Sequence, residues 1–169
     1  MESDLLLDIL KSDSFAKRLI CPRVLTKDEL PPELKNDRLY VIHSSSRDTP
    51  SKNGRVPGHF FIIDTIRKKS RSSLFFFDSY GRSLAYKEIE PIVTNYLIRH
   101  NAIFGYNTVR YQAKNEINCA DWCIFFALLR SRGFSLEKCQ KMIRLNSSFI
   151  SQLINQLVSL RTRDKKRRL

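Results

Sequence analysis

Apolar residues along this chain come in short, dense blocks divided by polar stretches, and their spacing separates strands from helices. Four blocks are short and β-branched or aromatic: 39–43 (LYVIH), 58–64 (GHFFIID), 73–78 (SLFFFD) and 107–112 (NTVRYQ). Each reads as a strand. The polar turn 67–72 between the second and third predicts a β-hairpin. Helical spacing predicts helices over 4–11 and 84–100, with Pro91 ending or kinking the first part of the latter. Residues 119–129 are apolar almost all round and contain no breaker, which predicts a buried helix. Ser135 caps a short helix to residue 145. Ser147 or Ser148 starts another, with Phe149, Ile150, Leu153, Ile154, Leu157 and Leu160 on one face. Pro and charge fill the loop through residue 37, and Ser, Gly and Pro fill 44–57. The expected fold class is α+β, a central mixed sheet flanked by helices.

This arrangement carries four side chains to one place. His59 stands at the start of one hairpin strand and Asp78 at the end of its neighbour, hence at the same end of the sheet. Gln112 closes the next predicted strand, and a six-residue loop delivers Cys119 to its helix. A thiol in the first turn of a helix meets unpaired N–H groups and the positive end of the dipole, and both favour thiolate. His59 would act as its base, Asp78 would orient the imidazole, and Gln112 with the Cys119 N–H would hold an oxyanion. Taken singly, each residue has an ordinary explanation: a solvated histidine, a core cysteine, a turn aspartate. Cys123, one turn on, reads as a small core hydrophobe. Their convergence favours chemistry.

In the order His, Asp, Gln, Cys, the motifs Gly58-His59-Phe60, Phe76-Phe77-Asp78-Ser79-Tyr80-Gly81 and Gln112-x-x-Asn115-x-x-x-Cys119-x-x-x-Cys123 resemble the adenovirus-type maturation proteases. The cellular relatives of that family are the SUMO-specific proteases. The resemblance covers most of the chain and includes residues 15–31 and 39–42 ahead of the Pro-Gly-His element. It implies a papain-like fold with the nucleophile at the N-terminus of a buried helix. It also implies a source among adenovirus-related DNA viruses or Maverick/Polinton elements. Ala120 stands where the family usually has Gly, and Phe60 where many members have Trp. Residues 101–111 contain no cysteine to tether an activating peptide, as adenovirus protease does.

Length and composition narrow this further. At 169 residues and 42% hydrophobic, the chain suits one domain over 1–160, with a basic, disordered tail over 161–169. No apolar run approaches the ~20 residues of a membrane span, and the N-terminus is unlike a signal peptide. Four cysteines without metal spacing suit a reducing compartment rather than a disulfide framework or a metal site. The net charge of +13 concentrates in the tail, with six basic residues against Asp164, and in Arg67, Lys68, Lys69 and Arg71 on the hairpin turn. These clusters are solvated surface, or attract DNA phosphates, or direct nuclear import through Lys165-Lys166-Arg167-Arg168.

Together with the resemblance, these features imply a monomeric cysteine endopeptidase that cleaves viral precursor proteins during virion maturation. It would need no metal or organic cofactor, would take DNA as an activator, and would reside in the host nucleus and the virion. The resemblance further implies substrates with small residues, often Gly, beside the scissile bond. One alternative is a protease of ubiquitin-like modifiers. The other is a basic DNA- or capsid-binding protein whose protease site is idle.

Overall fold

The computed structural model describes residues 3–50, 58–66, 72–81, 86–113, 118–146, 149–150 and 152–159. The basic cluster at 67–71 and the tail at 161–169 lie outside these. In chain order come helices α1 (Ser3–Ser12) and α2 (Ala16–Leu19), then strand β1 (Leu25–Thr26) with a 3-10 turn, Lys27–Glu29. Strands β2 (Leu39–His43), β3 (Phe60–Asp64) and β4 (Ser73–Phe77) follow, then helix α3 (Tyr86–His100) and strand β5 (Ile103–Tyr106). Helices α4 (Cys119–Ser131) and α5 (Leu136–Leu145) come next, and residues 149–150 and 152–159 are helical.

The strands form one open mixed sheet in sequential order, β1 to β5. Its outer pairs are parallel and its inner pairs antiparallel. Both faces are covered. On one face, Val41, Phe60, Ile62, Phe75 and Phe77 pack under α1, α4, α5 and Ile150 and Ile154. On the other, Ile42, Phe61, Ile63, Leu74 and Phe76 pack against Ile89, Val93 and Tyr96 of α3. Because β2, β3 and β4 are buried on both faces, they are apolar nearly throughout rather than alternating with polar residues, whereas the edge strand β5 is partly exposed. The expected α+β class holds as a five-stranded mixed sheet with helices on both faces.

Strand β3 and helix α4 form the spine. Phe126 of α4 lies almost flat on Phe77, with ring centroids 4.3 Å apart. At the far end of both elements, Arg130 Nε donates to Asp64 Oδ2, and Arg130 also donates to the carbonyl of Phe134. Both charged groups are buried.

Three expectations are corrected. Residues 107–112 are not a strand. The partner of β4 is β5 in parallel register, Ser73↔Ile103 through Phe76↔Tyr106. Beyond Phe77 the β4 chain turns at Asp78, so residues 107–112 have a turn beside them instead of a strand. Pro91 does not end α3, which continues through it to His100. One missing hydrogen bond at an exposed position is outweighed by burying Ile89, Val93 and Tyr96 against the sheet. Finally, α2 and β1 occur inside the stretch expected to be loop. Both are too short to leave a periodic signal.

Candidate active site

The site forms where β3 begins, β4 ends and α4 begins. Cys119 is the first residue of α4, so its backbone N–H has no partner within the helix. The preceding Asn118 makes no side-chain capping bond, and its Oδ1 accepts instead from Trp122 Nε1 at 3.2 Å. That leaves the thiol among the N–H groups of the first turn. Phe60 N–H points at Cys119 Sγ, 3.5 Å away, and the backbone N–H of Ala120 also bonds to it.

His59 lies just before β3, with its backbone N–H donating to Ser44 Oγ at 2.9 Å. One ring nitrogen, Nε2, is 2.7 Å from Asp78 Oδ1. The ring also hydrogen-bonds the Cys119 thiol. Since Nε2 is engaged by Asp78, the other nitrogen, Nδ1, is the one left for sulfur. Tyr80 stacks on the imidazole at 4.7 Å and 25°, and Arg110 sits 5.3 Å from the Tyr80 ring centroid. The His59 side chain keeps 18% of its surface exposed and Asp78 only 3%. The imidazole therefore reaches water while the acid behind it does not.

The electrostatics follow from this packing. Burial works against the imidazolium, but hydrogen bonds to Asp78 and Cys119 outweigh it and raise the His59 pKa to about 9. Burial likewise works against the thiolate, yet the His59 bond and the N–H groups of Phe60 and Ala120 bring Cys119 below the usual thiol value. Each group favours the charged form of the other. Cys123, one turn further on and wholly buried, is pushed well above that value by desolvation. Burial also raises the carboxyl of Asp121 to about 6.

Asp78 opens a turn that organises everything around it. Gly81 N–H donates to the Asp78 carbonyl at 2.9 Å. Gly81 has φ +63°, and a side chain there would meet the carbonyl of Thr108 at 2.7 Å, so glycine is required. Asn107 clamps Asp78 from the other side. Its Oδ1 accepts from Asp78 N–H at 2.9 Å, and its Nδ2 donates to the Asp78 carbonyl at 2.6 Å. The backbone N–H groups of Tyr111 and Gln112 both donate to the carbonyl of Ser79, at 2.8 and 3.0 Å. The Gln112 side chain is buried, and its Oε1 accepts from Ser79 Oγ at 2.6 Å.

His59, Asp78 and Cys119 thus meet directly, and Gln112 joins them through the turn at Ser79. Four neighbours were given no role of their own from the sequence: His43, Ser79, Tyr80 and Asn107. His43 is buried and packs on Phe60, with ring centroids 4.7 Å apart. A side chain at residue 58 would strike the His43 ring at 2.3 Å, which explains Gly58. Desolvation and the charge of His59 lower the His43 pKa and favour its neutral form. Only Ser79 and Tyr80 had any signal, their place beside Asp78.

Among the described residues, no group of three or more His, Cys, Asp or Glu could hold a metal ion. No described helix is long and apolar enough to cross a membrane. Set against known protein families and against curated proteins, the chain matches none.

Proposed function

We propose that this protein is a papain-like cysteine endopeptidase of the adenovirus type. The observation that carries the reading is one imidazole hydrogen-bonded to a shielded carboxylate and to a thiol at a helix start. In it, the Cys119 thiolate attacks the scissile carbonyl carbon, forming a C–S bond as the carbonyl π pair moves to oxygen. The Cys119 N–H and the Gln112 amide hold that oxyanion. Collapse breaks the C–N bond, and the His59 imidazolium gives its proton to the leaving amine. Water, losing a proton to neutral His59, then attacks the thioester and releases the acid and the thiolate. Asp78 keeps the imidazole in the required tautomer and stabilises its cation.

The natural task under this proposal is cleavage of viral precursor proteins during maturation, in the host nucleus and the virion. Two experiments test it. An active-site thiol probe that labels Cys119 at neutral pH separates an enzyme from an idle site. Cleavage of a Gly-containing capsid-type peptide, with a SUMO-type fusion left intact, separates a maturation protease from one acting on ubiquitin-like modifiers. The reverse preference would overturn the maturation reading.

DNA is proposed as activator on the strength of the +13 charge. Duplex DNA should then raise the cleavage rate without sequence preference. Its binding should weaken steeply with salt as phosphate counterions are released. Deleting 161–169 should lower that salt slope, and equal slopes would remove the tail from the DNA site.

A further inference from the structure

An imidazole can bridge an acid and a thiol only if its backbone stands at the right place between them. The His59 ring bonds reach two separate elements, Asp78 at the end of β4 and Cys119 at the start of α4. They set how the ring turns, whereas the backbone sets where it starts. That backbone lies one residue outside β3, whose ladder with β2 ends at the pair His43↔Phe60. The next rung of an antiparallel ladder would join Ser44 to His59 by two backbone bonds. One of them is present, from Ser44 N–H to the His59 carbonyl at 2.9 Å. In the other, the Ser44 hydroxyl takes the place of its carbonyl and accepts from His59 N–H at 2.9 Å.

Resting on the protease reading, we infer that Ser44 is a positioning residue that holds His59 within reach of both Asp78 and Cys119. Its two bonds engage both polar groups of the His59 backbone. The peptide linking His59 to Phe60 is trans and planar, so its C=O and N–H point in opposite directions. Ser44 takes the C=O on the β2 side, and the N–H points at Cys119 Sγ, 3.5 Å away. One peptide plane therefore carries the base at one end and a donor to the sulfur at the other. The neighbours of Ser44 support the same stretch: the His43 ring packs against Gly58, and Ser45 Oγ hydrogen-bonds His43 Nδ1. His43 and Ser45 are buried, but Ser44 is only half-buried, so its hydroxyl can be removed without opening the core.

The test uses the full chain and follows Cys119 alkylation by mass spectrometry across pH. Ser44→Ala should move the acid limb part of the way towards 9.0, because a displaced imidazole pairs less well with the thiolate. On fluorogenic peptide amides with Gly on the acyl side it should lower kcat by ~10-fold with KM unchanged, a fraction of the ~10²-fold that a 1 Å misplacement can cost. Ser44→Thr, which keeps a hydroxyl, should recover most of both. In a His59→Ala background, Ser44→Ala should shift the limb far less, because the ring it positions is gone. The urea midpoint of Ser44→Ala should stay near the wild-type value. The inference is overturned by an equal shift in the His59→Ala background, by a threonine variant no better than alanine, or by loss of cooperative unfolding in Ser44→Ala. A limb that His59→Ala leaves in place overturns the protease reading, and the inference with it. A limb that His59→Ala moves and Ser44→Ala does not overturns the inference alone.

Discussion

Strand β3 and helix α4 are joined at both ends by a pair of ionisable groups, and the two pairs behave differently. At one end His59, just before β3, meets Cys119 at the start of α4. At the other, Asp64, which ends β3, meets Arg130 near the end of α4. The second pair has side-chain exposures of 6% and 1%. Its cation has no accessible neutral form, and its carboxyl is raised by burial against the opposing pull of Arg130. The first pair consists of two groups that are both neutral in isolation near pH 7. Asp78 and Cys119 raise the His59 pKa, and His59 with nearby N–H groups lowers that of Cys119. One pair fastens the helix to the sheet. The other, at the partly exposed edge, is left able to exchange protons.

The comparison breaks most sharply under substitution. Cys119→Ala should abolish cleavage while leaving the denaturant midpoint near the wild-type value, because alanine suits the start of a helix. If Cys119→Ala still cleaved and Cys123→Ala did not, the assignment would be wrong. Arg130→Ala should do the converse, costing about 3–5 kcal/mol of stability by stranding the Asp64 charge. Replacing both, Asp64→Leu with Arg130→Met, should recover most of that loss in urea unfolding. If the double variant proved less stable than Arg130→Ala, the far pair would not be a simple fastening.

Within the near pair, His59→Ala should slow cleavage by ~10²-fold or more, since proton delivery and thiolate stabilisation vanish together. Asp78→Asn should cost less, because a neutral amide still orients the ring. Alkylation of Cys119, followed by mass spectrometry across pH, checks the coupling: its acid limb should move up towards 9.0 in His59→Ala. An unmoved limb would show that the thiol is not paired with His59.

The smallest effect is a shape. The His59 pKa is raised above its ordinary 6.5 to about 9, so the imidazolium and its contribution to stability are complete below 6.5 and disappear as pH rises through about 9. The Cys119 pKa is lowered, so the thiolate persists on the acid side of 9.0. The rate of cleavage should therefore already be high on the acid side of 9.0 and fall above about 9. Cys119 alkylation, which needs only thiolate, should not fall there. A common alkaline decline would point to loss of fold instead.

Parts of this site were legible because they lie at element ends. Gly58 before an aromatic run, Asp78 before Ser-Tyr-Gly, and Cys119 at the head of an apolar block are local signals that a hairpin and a helix must bring together. Gln112 was found by its spacing from Cys119, although the strand expected to carry it is a loop. Asn107 was invisible for a physical reason. Its two bonds to Asp78 cross 29 positions of sequence, and nothing around an Asn at the head of an expected strand announces such a partner. His43 was read as the end of a strand, because burial beneath Gly58 depends on how the β2–β3 connection folds back.

Local patterning alone determined the strands of the hairpin, the buried helix α4, and which residue types could supply a base, an acid, a donor and a thiol. Those follow from periodicity and side-chain chemistry, which act over a few residues. Tertiary structure decided the rest: that α4 meets β3 with Cys119 against His59, that Cys123 stays a high-pKa thiol, and that the Asp78–Gly81 turn joins Asp78 to Gln112. Desolvation and hydrogen bonding set those outcomes, and both depend on which distant groups surround an atom once the chain has packed.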